Sequence, residues 1–216
     1  MKDDLHYTRR EETLNAVSHS IGIILSIIGS IVMIVAAVPH HNSTAISSIV
    51  IYGLAMLGMY TMSTLYHSVK PGRMKAVLQI IDHASIYLLI AGCYTPVMLI
   101  LLGGKGKALF MFAAVWIAAA VGIVLNMINM KRFKRIGMAL YLVMGWVALA
   151  DIINIAHLLG TKGTSLMFAG GVAYTVGIIF YRMKKIEFMH SIWHLFVLAG
   201  SILHYMCILK YIVLAF

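Results

Sequence analysis

The sequence predicts an all-α integral membrane protein, a single bundle of seven spanning helices. Three observations carry this. Hydrophobic residues make up 62% of the 216, charged residues only 11%, and mean hydropathy is +0.93; soluble domains run near 25% charged. The apolar residues gather into runs of about 20, the length that crosses a bilayer. Basic residues collect in every second connection between those runs, the bias that sets a membrane protein's orientation.

The seven runs are 17–38, 45–66, 80–102, 108–128, 136–159, 165–181 and 190–213. Pro39-His40-His41-Asn42, Lys70-Pro71-Gly72-Arg73, Gly103-Gly104-Lys105-Gly106 and Gly160-Thr161-Lys162-Gly163 read as turns between them. Residues 1–14 read as a cytoplasmic tail. They mix acids and bases and lack a signal-peptide pattern. No composition shift marks a boundary, so residues 1–216 form one domain.

Thirteen of the seventeen basic residues fall on one side of this alternation: Lys2, Arg9 and Arg10; Lys70, Arg73 and Lys75; Lys131, Arg132, Lys134 and Arg135; Arg182, Lys184 and Lys185. Lys105, Lys107, Lys162 and Lys210 fall on the other. Positive charge stays inside, so the N-terminus is cytoplasmic and the C-terminus external. A net charge of +10 in a soluble protein would suggest nucleic acid. Here it lies in short loops and suits topology and anionic lipid headgroups, and no nucleic-acid motif is present. Cys93 and Cys207 both lie inside apolar runs and give neither a disulfide framework nor a CxxC pair.

The alternation assigns a depth to each polar residue. Ser63 and His67 close the second run, Asp82 opens the third, and His190 and His194 open the seventh. All five fall at the cytoplasmic level. His190 and His194 are four apart, on one helical face. With His67 they offer three nitrogen ligands and leave a fourth position for water, the open form of a catalytic zinc site. Nitrogen ligands suit zinc better than calcium or magnesium. Of seven acids, only Asp82 and Asp151 lie inside apolar runs. An ionised carboxylate there needs a partner, and a nearby cation would supply one to Asp82. Asp82 could serve as general base, and Ser63, one turn before His67, could hydrogen-bond Asp82 or the water. The same residues could instead form a metal-free hydrogen-bonded cluster that glues three helices together.

These residues resemble the hemolysin III proteins, the bacterial branch of the progestin and adipoQ receptor superfamily that includes the adiponectin receptors. The matching stretches are Glu12-Thr13-Leu14-Asn15 running into Ser18-His19-Ser20-Ile21-Gly22; Ser63-Thr64-Leu65-Tyr66-His67; Asp82-His83 running into Ala91-Gly92-Cys93-Tyr94-Thr95-Pro96; Met144-Gly145-Trp146; and His190-Ser191-Ile192-Trp193-His194. They follow the family's order over almost the whole chain. The resemblance implies seven helices with a cytoplasmic N-terminus in a bacterial plasma membrane. It implies Zn2+ held by His67, His190 and His194, with Asp82 acting through water and Ser63 beside it. The receptors look like hydrolases of lipid amides, with ceramide as the proposed substrate class. The bacterial branch takes its name from haemolysis through a proposed pore. The long soluble N-terminal region of the adiponectin receptors has no counterpart here, which argues against hormone binding.

Other polar residues receive local readings. Asn15 or Ser18 would cap the first helix, with His19 beside the site. His83 should leave the carboxylate's face, 100° from Asp82. His204, about 21 Å along its helix from His190, should serve packing. Asp151 and Asn154 are spaced to pair with each other or with a neighbouring helix, and Asn126 and Asn129 to hydrogen-bond across helices. Pro96 should kink the third helix. Three functions follow: a zinc-dependent hydrolase of lipid amides or esters with membrane lipids as its partners, a pore-forming cytolysin, or a sensor that clamps its helices with zinc.

Overall fold

The computed structural model describes residues 7–183 and 185–215. Lys2 and Lys184 of the basic set, and the first six residues of the tail, lie outside them. The described residues are mostly helical, joined by short turns, with no strand among them. The helices are α1 (Arg9–Ala37), α2 (Ser43–Ser68), α3 (Arg73–Pro96), α4 (Lys107–Gly145), α5 (Ile152–Arg182) and α6 (Met189–Ile208). π-Helical turns extend α3 through Val97–Leu101 and α6 through Leu209–Val213. Five continuous helical stretches are long and apolar enough to cross a membrane.

One of these, Lys107–Arg182, is 76 residues long. A straight helix of that size would measure about 114 Å, against a hydrocarbon core of about 30 Å. Three interruptions break it: Asn129 (φ −164°, ψ 91°), a 3-10 segment at Val147–Asp151, and Gly160 (φ 63°, ψ 179°). Two expected connections are therefore far shorter than their composition suggests. Lys131, Arg132, Lys134 and Arg135 lie in helix just beyond Asn129. Asn129 caps locally and not across helices: its Oδ1 accepts from Arg132 N at 2.9 Å and starts the next helical turn. Asn126 does bond across, donating to Ile80 O at 2.9 Å.

The first helix also corrects the expected tail. Thr8 and Glu11 form a capping box, so helix begins at Arg9, two turns before the apolar run. The cap is Thr8, not Asn15 or Ser18. Those two are buried.

α1 shows how the bundle packs. Its inward face carries Asn15, Ser18, Gly22, Ser26 and Gly29. Its outward face carries Ile24, Ile28, Ile31 and Val35. Small residues inside and large apolar ones outside suit helices in lipid, where close backbone approach replaces the hydrophobic drive. A methyl at Gly22 would collide with the Tyr60 ring. α1 packs on both α2 and α6, α2 on α3, α3 on α4, and α5 on α6. Lying between α2 and α6, α1 sets the distance between His67 and the α6 histidine pair. At Pro96 the α-helical pattern of α3 gives way to the π turn.

Candidate metal centre

His67 ends α2, and His190 and His194 occupy the first two turns of α6. One ligand nitrogen from each lies within 4.8 Å of the other two. All three residues are buried. His190 Nε2 and His194 Nε2 are 3.1 Å apart. His67 Nε2 is buried and makes no hydrogen bond. A buried nitrogen without a partner costs free energy, and two facing imidazole lone pairs repel unless a proton or cation lies between them. The donor set thus fits a metal ion.

The surroundings fix which nitrogen faces the centre. Glu12 Oε2 accepts from His67 Nδ1 at 2.7 Å, leaving the Nε2 lone pair for the centre. Glu12 Oε1 pairs with Lys75 Nζ at 2.8 Å. Lys75 also donates to Tyr66 O at 2.9 Å and Val69 O at 3.2 Å, at the end of α2. This one carboxylate therefore joins α1, α2 and α3. On α6, His194 Nδ1 donates to Asn15 O at 3.2 Å, which again leaves Nε2 for the centre. Ser18 Oγ lies 3.2 Å from the same Nδ1. Ser191 Oγ donates to Asn15 Oδ1 at 2.6 Å. Phe188 N donates to Glu11 Oε1 at 3.0 Å and ties the start of α6 to the start of α1. Such carboxylate and carbonyl partners orient metal-binding imidazoles and raise their basicity.

Two aromatic neighbours complete the enclosure. The Tyr7 ring lies 4.7 Å from His190 and 5.8 Å from His67. Burial pushes its phenol pKa up, so Tyr7 meets the site as a neutral hydroxyl. His19 stacks on His194 with ring centroids 3.6 Å apart and planes at 12°. It is 1% exposed, and neither of its nitrogens makes a hydrogen bond.

Asp82 is not one of the three clustered ligands. It is 3% exposed. The Ser63 hydroxyl faces the carboxylate without reaching hydrogen-bonding geometry. His83 does share the carboxylate's side, contrary to the helical-wheel expectation: its Nδ1 lies 3.6 Å from Asp82 Oδ2. That is too long for a hydrogen bond. His83 Nδ1 donates to Gln79 O at 2.8 Å, and its Nε2 meets Tyr181 OH at 3.2 Å. Asp82 and His19 line the same chamber of about 120 Å³. His204 also lines that chamber and packs over Gly170.

Sequence reasoning placed His19 beside the site, where it stacks on His194, but missed Tyr7 and the part Glu12 plays. Glu12 carried a readable signal. Glu12, Asn15, Ser18 and Gly22 recur at three- and four-residue spacing, which puts them on one helical face.

Apolar helices long enough to cross a bilayer, with three buried histidines converging from two of them, define a multi-pass helical membrane protein with a metal-competent centre. The chain belongs to the haemolysin-III-related family, whose model matches residues 7–205. It is 40% identical to Hemolysin-3 of Bacillus cereus over 203 residues, covering 94% of this chain and 92% of that protein. It is 42% identical to the Hemolysin-3 homolog of Bacillus subtilis (strain 168) over 207 residues, covering 96% and 97%. A more distant relative is the human Monocyte to macrophage differentiation factor, 28% identical over 212 residues, covering 94% and 84%.

Proposed function

We propose that this protein is a seven-span enzyme of a bacterial plasma membrane that holds zinc at His67, His190 and His194 and hydrolyses an amide or ester bond of a membrane lipid. The interruptions at Asn129 and Gly160 support dividing the 76-residue stretch into three spans, which makes seven. The positive-inside bias then favours a cytoplasmic N-terminus and an external C-terminus. The Bacillus relatives support the bacterial setting.

The observation that carries the reading is the partnerless His67 Nε2 beside the two facing α6 nitrogens. Their 3.1 Å separation is close to the roughly 3.3 Å between two nitrogen ligands of one tetrahedral zinc. When bound, zinc supplies a Lewis acid for the scissile carbonyl and lowers the pKa of water to about 7. Glu12 and the Asn15 carbonyl hold the His67 and His194 rings with their Nε2 atoms presented. Asp82 takes the proton of the attacking water and returns it to the departing amine or alcohol, as the carbonyl carbon gains a C–O bond and loses its bond to the leaving group. The Ser63 hydroxyl, which faces the carboxylate, is placed to hydrogen-bond it or the water as the reaction proceeds. Burial of Asp82 keeps bulk water from competing for that proton.

The test is release of fatty acid from lipid amides and esters by purified protein in nanodiscs, wild type beside Asp82→Asn. The variant is expected to lose about 100-fold or more in turnover while keeping its zinc. Full turnover in the variant would remove Asp82 as the base. The name of the two Bacillus relatives favours one competing function, membrane lysis. Dye leakage from liposomes reconstituted with pure protein, unaffected by Asp82→Asn, would support lysis over hydrolysis.

A further inference from the structure

We propose that a basic recess walled in part by His67 and His190 receives the anionic, phosphate-bearing headgroup of a membrane lipid, so that the substrate is an anionic lipid and not a neutral one such as ceramide. This rests on the reading of the centre as a lipid hydrolase.

The recess has a volume of about 1520 Å³, and His67 and His190 lie on its wall. Arg9 reaches it from the start of α1, and Lys70 and Lys75 from the turn before α3 and its first residues. Lys131 and Lys134 reach it from just beyond the Asn129 interruption. Arg182 and Lys185 come from the end of α5 and the connection to α6. These cations are dispersed along the sequence, and the fold brings them to one concavity. Among the described residues the one acid on the wall is Glu12, whose two oxygens serve His67 and Lys75, so that Lys75 is already paired and the remaining cations face no carboxylate of the described wall. Glu11, its neighbour in sequence, accepts from the backbone of Thr8 and Phe188.

The positive-inside bias explains why these loops are basic. It does not require their side chains to line one cavity that reaches the histidines. Like charges in a concave, low-dielectric wall focus the field and attract anions. Lysine and arginine are also the side chains that bind phosphate through charge-assisted hydrogen bonds.

A second feature gives the ligand its apolar part. His83, Met138, Tyr141 and Tyr181 line both the recess and the 120 Å³ chamber. Beyond them the chamber wall turns apolar, with Ile86, Leu89, Trp146 and Val197. A basic cavity and an apolar one thus meet at a common wall, beside Asp82. That is the complement of an amphiphile with an anionic head. Its head–chain junction would lie between the histidines and Asp82.

The experiment titrates fluorescent phosphatidic acid and fluorescent ceramide into zinc-loaded Asp82→Asn protein in neutral detergent micelles, so that binding is read without turnover. Wild-type protein titrated in parallel guards against a folding defect in the variant. Phosphatidic acid is expected to bind at least about tenfold more tightly than ceramide, and Lys70→Gln/Lys134→Gln/Lys185→Gln is expected to remove about tenfold of that affinity. Lys105→Gln/Lys162→Gln/Lys210→Gln, outside the recess, is expected to keep it. Equal affinity for the two lipids, or equal loss in both triple variants, would overturn the proposal. Displacement by glycerol 3-phosphate as effective as by the lipid would assign the recess to a soluble phosphate ester and overturn the lipid assignment. Zinc content, measured on the same samples, separates the two readings. Selective binding without zinc fails the hydrolase reading, and zinc without selectivity fails this one.

Discussion

Asp151 accepts from Lys107 Nζ at 2.8 Å and from Asn154 Nδ2 at 3.1 Å. Asp82 is 3% exposed, with a histidine nitrogen at 3.6 Å as its ionic neighbour among the described residues. These are the two acids that lie within apolar runs. The first is answered by its own helix end and a lysine at the helix start opposite. The second is buried without a direct hydrogen bond from that histidine. A carboxylate in hydrocarbon surroundings persists when something repays its desolvation. Neighbouring side chains do so for Asp151; for Asp82 the proposed catalytic role would supply the partner. The two acids differ in their partners, where apolar context alone would class them together.

Paired substitutions sharpen it. The largest expected contrast is between Asp82→Asn and Asp151→Asn, assayed for lipid turnover. The first should fall about 100-fold or more and the second should stay near wild type. Similar losses in both would erase the distinction.

A smaller contrast separates Glu12 from Glu11, adjacent acids at the start of α1. Glu12→Gln weakens the hold on His67 Nδ1 and should reduce zinc affinity about 10- to 100-fold in chelator competition. Glu11→Ala removes half of the capping box and the bond to Phe188. Its main effect should be on thermal stability, about 1–2 kcal/mol.

The smallest contrast lies in the backbone. Gly160 has φ 63° and ψ 179°, a conformation essentially reserved for glycine, so Gly160→Ala should cost about 1–3 kcal/mol. Gly58 lies within α2, where an added Cβ would meet open space. Gly58→Ala should stabilise by up to about 1 kcal/mol. Thermal unfolding in detergent checks both.

The metal-competent residues were legible because helical spacing and loop charge are properties of sequence. The four-residue step from His190 to His194 fixes their common face, and alternating basic connections put His67 at their level. Glu12 was hidden because a charged residue ahead of an apolar run reads as tail. The Thr8–Glu11 capping box extends helix under it and turns it inward beside His67. The breaks at Asn129 and Gly160 were expected as whole connections. Lysine and arginine are good helix formers, however, and helix resumes at once after Asn129. His83 was misjudged because a helical wheel gives the direction of Cβ, while the imidazole reaches beyond it towards Asp82.

The most direct test of the central claim is metal content by mass spectrometry on detergent-purified protein, wild type beside His190→Ala/His194→Ala. The account predicts about one zinc per wild-type chain, lost in a variant that stays monodisperse. Wild-type protein that holds no zinc even after resupply would contradict it and leave a hydrogen-bonded histidine cluster in place of a metal centre.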